Sequence, residues 1–149
     1  MAFEYFEDYE IGAHFETKAR TVTETDIVNF VNLFGFHESL FMDMNYVAEE
    51  SLFDRRISPG SFTFALAEGL TVQSGMVKGG MALIGIDGMK MLAPLPCGAT
   101  VHVKVEILDK RKTSKPDRGI VTSLTQLIDH GGAVLLEYTV KRMIRRKQK

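Results

Sequence analysis

The hydrophobic pattern changes period along the chain, and each change marks a new element. Between Thr23 and Gly35, Ile27, Phe30, Val31 and Phe34 recur at i, i+3, i+4 and i+7, one apolar stripe along a helix. Thr23 and Asp26 stand at capping-box spacing, and Gly35 fits the left-handed residue that closes such a helix. Helical spacing returns after Pro59 and Gly60. In SFTFALAEGLTVQSGM, Phe62, Ala65, Leu66, Gly69 and Leu70 share it while nearly every other position is small or apolar, so this helix should be buried on most sides. Its small residues Ala65, Ala67 and Gly69 let neighbouring backbone come close.

Past Gly79 and Gly80 the chain turns β-rich, with strands predicted in MALIGIDGMKML, TVHVKVEILDKRKT, GIVTSLTQLIDH and AVLLEYTVKRMI. Val101, Val103, Val105 and Ile107 alternate with His102, Lys104, Glu106 and Leu108, the period of two that marks a strand with one covered face. APLPCG, TSKPDRG and DHGG supply the breaks, the last as a short hairpin connection. The opening YFEDYEIGAHFETKART predicts a short extended segment, a turn near Gly12 and a strand, and residues 36–59 read as a long, partly ordered loop with room for a helical turn in MNYVAEESLF. Several antiparallel strands and one buried helix predict an α+β fold, with a curved sheet wrapped around that helix.

Composition narrows the picture without changing it. A chain of 149 residues with 45% hydrophobic and 25% charged positions is expected to form one folded domain, 1–149. Eighteen basic against nineteen acidic residues leave a net charge of −1, which argues against a nucleic-acid partner. The basic residues do cluster at the end, in KRMIRRKQK (141–149), which reads as a frayed, solvated tail or as an attraction for an anionic ligand such as a phosphorylated cofactor. Cys97 is alone and has no companion at metal or redox spacing, so it is read as a bystander thiol rather than a nucleophile. His14, His37, His102 and His130 are scattered among different elements, and no metal is expected. Neither a leader pattern nor an apolar run long enough for a bilayer is visible, and the expected setting is cytoplasmic, with no membrane partner.

Several pieces in order carry a resemblance: YFEDYEIGAHF, RTVTETDIVNFVNLFG, the Asp43 to Tyr46 pair, FDRRISPG ahead of the second helix, and MLAPLPCGATVHVKVEILDKR before two closing strands. Together they resemble the MaoC-like (R)-specific enoyl-CoA hydratase and dehydratase family, whose fold is the hotdog. The resemblance implies an acyl-CoA thioester as ligand, with coenzyme A entering as part of the substrate and no separate cofactor. In the family's hydratases the first helix ends in a motif of the form G-D-x-N-P-x-H-x-D, whose first Asp and His are the acid/base pair. Laid on this chain without gaps, Gly35 takes the glycine, Phe36 the catalytic Asp, Glu38 the Asn, Phe41 the catalytic His and Asp43 the final Asp. A phenyl ring neither accepts nor donates a proton, so the family's dyad does not carry over. Pro59 likewise stands where family hydratases have a His before the glycine.

What remains is a short set of candidates. His37 and Glu38 are adjacent on the altered loop, so either one could be recruited for proton transfer, or both are a solvated pair. Gly60 matches the residue whose N–H binds the thioester carbonyl in the family, and helix N-terminal amides stabilise developing negative charge on physical grounds alone. Glu68 interrupts the most apolar helix, eight residues after Gly60; it is either structural, pointing to a dimer partner or to solvent, or, as in some hotdog thioesterases that it resembles in spacing, the nucleophile or general base. Three functions stay open: a hydro-lyase using Gly60 with Glu38 or His37, a thioesterase using Glu68, and an acyl-CoA-binding module without turnover. A lone unit of this kind leaves a sheet edge uncovered, so a homodimer or dimer of dimers is expected.

Overall fold

The computed structural model describes residues 3–148. Six strands form one antiparallel sheet: β1 (His14–Glu16), β2 (Arg20–Thr21), β3 (Gly80–Met91), β4 (Thr100–Lys112), β5 (Arg118–Asp129) and β6 (Val134–Arg145). Their spatial order is β1-β4-β5-β6-β3, with β2 also on the edge of β4. The helices are α1 (Glu24–Phe34), α2 (Ser39–Met42), α3 (Met44–Glu49) and α4 (Gly60–Gln73). A curved antiparallel sheet with α4 packed along its inner face is the hotdog arrangement, in agreement with the α+β expectation.

The period of two builds this layer. Val101, Val103, Val105 and Ile107 are all buried, and their register places Val103 opposite Leu127 and Val105 opposite Thr125. On β6 the same face carries Leu136, Tyr138, Val140 and Ile144, each buried. α4 answers with Phe62, Leu66, Ala67 and Leu70. Burying one such Val, Leu or Phe side chain contributes about 1.5–3 kcal/mol, so this row of contacts fixes the helix on the sheet.

The cap of α1 forms as its spacing predicts. The Thr23 hydroxyl accepts from the Asp26 N–H at 3.1 Å, the Asp26 carboxylate accepts from the Thr23 N–H at 2.9 Å, and Gly35 closes the helix at φ 76°. Ile27 and Val31 are buried, but Phe34, on the same stripe, is 62% exposed: nothing in the described chain covers the last turn.

Four expectations need correction. The segment 36–59 contains two helices rather than one turn; α3 is capped by Asp43, whose carboxylate accepts from the Asn45 and Tyr46 N–H groups. The opening segment coils into a 3-10 turn at Phe6–Asp8 instead of running extended, because the Asp8 carboxylate accepts from the Glu4 and Tyr5 N–H groups. α4, expected to be buried on most sides, buries Phe62, Thr63, Leu66, Ala67, Leu70 and Thr71 but leaves Ala65 and Val72 exposed.

The basic terminus is not a frayed tail. Residues 141–145 belong to β6, and Arg145, Arg146 and Lys147 pair with Glu4, Glu7 and Asp8 respectively. Arg146 also stacks over the Phe6 ring, which lies so close to Gly119 that a Cβ there would fall 2.4 Å from it. The N-terminal segment is thereby strapped across the end of the sheet, while Lys149 lies outside the described residues.

Candidate functional site

Gly60 is the first residue of α4, and Pro59 at its N-cap provides no side-chain hydrogen bond. The N–H groups of Phe62 and Thr63 turn back to the Pro59 carbonyl at 3.0 and 3.2 Å. Those of Gly60 and Ser61 have no acceptor among the described residues, and both residues are exposed. Fourteen residues of aligned peptide dipoles stand behind these two donors, which makes them a place for a carbonyl oxygen or another electron-rich group. The Met91 thioether, at the end of β3, lies beside Gly60, with its Cε 3.2 Å from where a Cβ would stand.

Two residues past Gly60 begins a chain of packed aromatic rings. Phe62, in the first turn of α4, meets Phe30 of α1 edge-on at 5.5 Å between ring centroids. Phe30 continues to Phe36 at 5.6 Å, and Phe36 to Phe41 at 6.4 Å with the rings nearly perpendicular. Phe30, Phe36 and Phe41 are half-buried against the core, so the two phenylalanines of the altered loop face inward and are held by one another. Arg56 pins the loop from behind: its Nη1 donates to the Phe41 carbonyl at 2.7 Å and its Nε to Glu24 at 3.0 Å.

His37 and Glu38 sit between these inward rings and are themselves exposed. A tight turn at Phe36–Glu38, with the Glu38 N–H donating to the Phe36 carbonyl at 3.0 Å, carries their backbone over the surface. Neither side chain makes a hydrogen bond among the described residues, and Glu38 does not use its carboxylate to cap α2.

Glu68 occupies a different environment. Its Oε1 accepts from the Tyr138 hydroxyl at 2.5 Å and from Arg142 Nη2 at 2.7 Å, and its Oε2 accepts from the same nitrogen at 2.6 Å. Only 17% of the Glu68 side chain and 13% of that of Arg142 is accessible. Burial first, and then the Glu68 charge, push the Tyr138 phenol well above its ordinary range, so it remains a donor. Within its own chain, Glu68 is thus held by Tyr138 and Arg142. Eight residues of helix also separate it from Gly60 by about 12 Å at 1.5 Å per residue.

No hydrogen bond joins any two of His37, Glu38, Gly60 and Glu68 among the described residues. Tyr138 and Arg142 were missed as the partners of Glu68, although a signal existed: Tyr138, Val140 and Arg142 alternate onto one face of β6, and an arginine on an apolar face needs an acid across from it. No group of His, Cys, Asp and Glu among the described residues could hold a metal ion.

The comparisons with known proteins agree with this fold. Residues 7–127 match the family model described as MaoC like domain. The chain is a MaoC-like domain. A curated relative, Protein MaoC of Klebsiella aerogenes, is 39% identical over 114 residues, which is 76% of this MaoC-like chain and 33% of that protein. The chain thus spans about a third of that relative's length. Among solved structures, a monoamine oxidase regulatory protein from Archaeoglobus superposes at TM-score 0.86 with 29% identity, covering 97% of the chain and 95% of its own. A MaoC-like dehydratase from Rhodospirillum rubrum gives TM-score 0.86 at 26% identity, covering 97% and 99%.

Proposed function

We propose that this MaoC-like chain binds acyl thioesters of coenzyme A, with the thioester carbonyl on the Gly60 N–H and the acyl carbons along Phe62, Phe30, Phe36 and Phe41. The observation that carries this reading is the pair of unpartnered N–H groups at the start of α4, followed two residues past Gly60 by that chain of aromatic rings. A helix N-terminus polarises a carbonyl, and apolar rings favour a hydrocarbon. Coenzyme A enters as part of the ligand, with no separate cofactor.

The inherited chemistry is that of a hydro-lyase, reversible addition of water to an enoyl thioester, and the Rhodospirillum rubrum relative is named a dehydratase. Water oxygen would add to carbon 3 and a proton to carbon 2, which requires a group to take one proton and a group to give one. Phe36 and Phe41 do neither, so the step would fall to Glu38 or His37, both on the outer surface of the loop. The site is degenerate: ligand binding is retained, and hydration is slow or absent. A thioesterase using Glu68 finds no support in a carboxylate whose two oxygens are already engaged.

The test is a panel of crotonyl, 3-hydroxybutyryl and butyryl thioesters, following enoyl absorbance and free thiol together. Binding with little change in either signal is the expected result. Rapid loss of enoyl absorbance would instead establish an active lyase, to be traced through Glu38→Gln and His37→Ala, and thiol release abolished by Glu68→Gln would establish the hydrolase.

A homodimer belongs to the same reading. Among the described residues β3 pairs only with β6, which leaves its other edge open, and Met81, Leu83, Ile84 and Met91 on it are between 46% and 52% exposed. Two such edges can join antiparallel about a twofold axis and cover these side chains. Sedimentation at low micromolar concentration should give a dimer, and Leu83→Lys a monomer; a monomeric wild-type chain would contradict it. The lone, half-buried thiol of Cys97 fits a cytoplasmic setting.

A further inference from the structure

We infer that Met91 is a site of reversible oxidation, and that its sulfoxide shuts the amide end of α4: the added oxygen accepts from the Gly60 or Ser61 N–H and keeps a thioester carbonyl off it. The inference rests on the proposed thioester site.

Among the described residues Met42, Met81, Met89 and Met91 are exposed in the single chain, and exposed thioethers are the ones that oxidise. What sets Met91 apart is where its sulfur lies. Sδ stands 3.7 Å, and Cε 3.2 Å, from the position that a Cβ on Gly60 would take. The N–H groups of Gly60 and Ser61 have no acceptor among the described residues, and a thioether is too weak an acceptor to supply one. One added oxygen changes that. A sulfoxide is polar, and its oxygen carries the partial negative charge that a helix N-terminus holds. The methionine side chain is unbranched and freely rotating, so this oxygen swings onto the amides without any movement of backbone.

The step needs only a peroxide as oxidant. A sulfur lone pair attacks one peroxide oxygen, the O–O bond breaks as the S–O bond forms, and the second oxygen leaves as water; sulfur is oxidised and the peroxide reduced. Methionine sulfoxide reductases reverse the change. Pairing of two β3 edges does not shield the sulfur, because any path that brings a thioester carbonyl to the Gly60 amide also admits hydrogen peroxide, a far smaller molecule.

The test treats the full chain with dilute hydrogen peroxide, locates the added oxygen by mass spectrometry of the peptide carrying Met91, and titrates butyryl-CoA by calorimetry before and after. Oxidised wild type should bind at least about tenfold more weakly, and reductase treatment should restore the affinity. Met91→Leu, compared with itself before and after peroxide, should show no such loss. In the wild type the Gly60 and Ser61 amide resonances should also move on oxidation with no ligand present, a readout independent of the thioester reading. A Met91 that stays reduced in the folded chain, an oxidised Met91 with unchanged affinity and unmoved resonances, or an equal loss in Met91→Leu overturns the inference while leaving the thioester site standing. Reduced wild type that binds butyryl-CoA no more tightly than coenzyme A itself sinks the thioester reading and this regulation with it.

Discussion

At the first turn of α4, Gly60 and Ser61 have N–H groups without acceptors among the described residues, whereas just over two turns further on Glu68 accepts three hydrogen bonds from Tyr138 and Arg142. The same helix is open at one end and braced at the other. Beyond the brace, the N-terminal segment closes the sheet with Phe3 and Tyr9, and burial pushes the Tyr9 phenol up to about 12 so that it stays a donor to the Met76 carbonyl. The open donors suit the ligand proposed for them, whereas the carboxylate is already engaged on both oxygens within its own chain.

The braced end gives the largest expected effect. Arg142→Ala leaves Glu68 half-satisfied in a poorly hydrated place, and stability should fall by about 3 kcal/mol, read as a shift of the urea midpoint. A change below about 0.5 kcal/mol would mean that water reaches Glu68 freely and the brace carries no energy.

At the open end the effect should fall on binding instead. Gly60→Val meets only the movable Met91 thioether, so the fold should persist while affinity for butyryl-CoA drops at least tenfold, about 1.4 kcal/mol. Unchanged affinity would remove Gly60 from the site. Thr23→Ala breaks the cap of α1, which carries Phe30 and leads to Phe36, and should cost about 1 kcal/mol of stability.

The smallest effect concerns acid. Burial works against the Asp26 carboxylate, but bonds from the Thr23 N–H and hydroxyl and the Arg20 charge outweigh it and hold the group below its ordinary 3.8. A group depressed in the folded state stabilises above its unfolded value and loses that contribution as pH falls through the folded one. Stability of the wild type should therefore decline below about pH 4, and less steeply in Asp26→Asn. Parallel curves would show that this pair is not felt.

Much of the fold was legible because local rules and tertiary packing agreed. Val101 to Ile107 alternate and are buried, and Thr23, Asp26 and Gly35 define α1 as their chemistry requires. The terminal cations were misread because Glu4, Glu7 and Asp8 lie nearly 140 residues away, and pairing across that separation leaves no local trace. α2 was missed because four residues without a side-chain cap carry too little pattern to see.

The site divides in the same way. That Phe36 and Phe41 cannot move protons follows from their identity alone, and so does the availability of an amide at Gly60, since no helix can satisfy its own first N–H groups. Tertiary structure decided that the two rings turn inward while His37 and Glu38 turn out, and that Glu68 is spent on Arg142. Composition and spacing fix which groups a chain owns; direction and partnership depend on contacts between segments far apart in sequence, which only the closed sheet brings together.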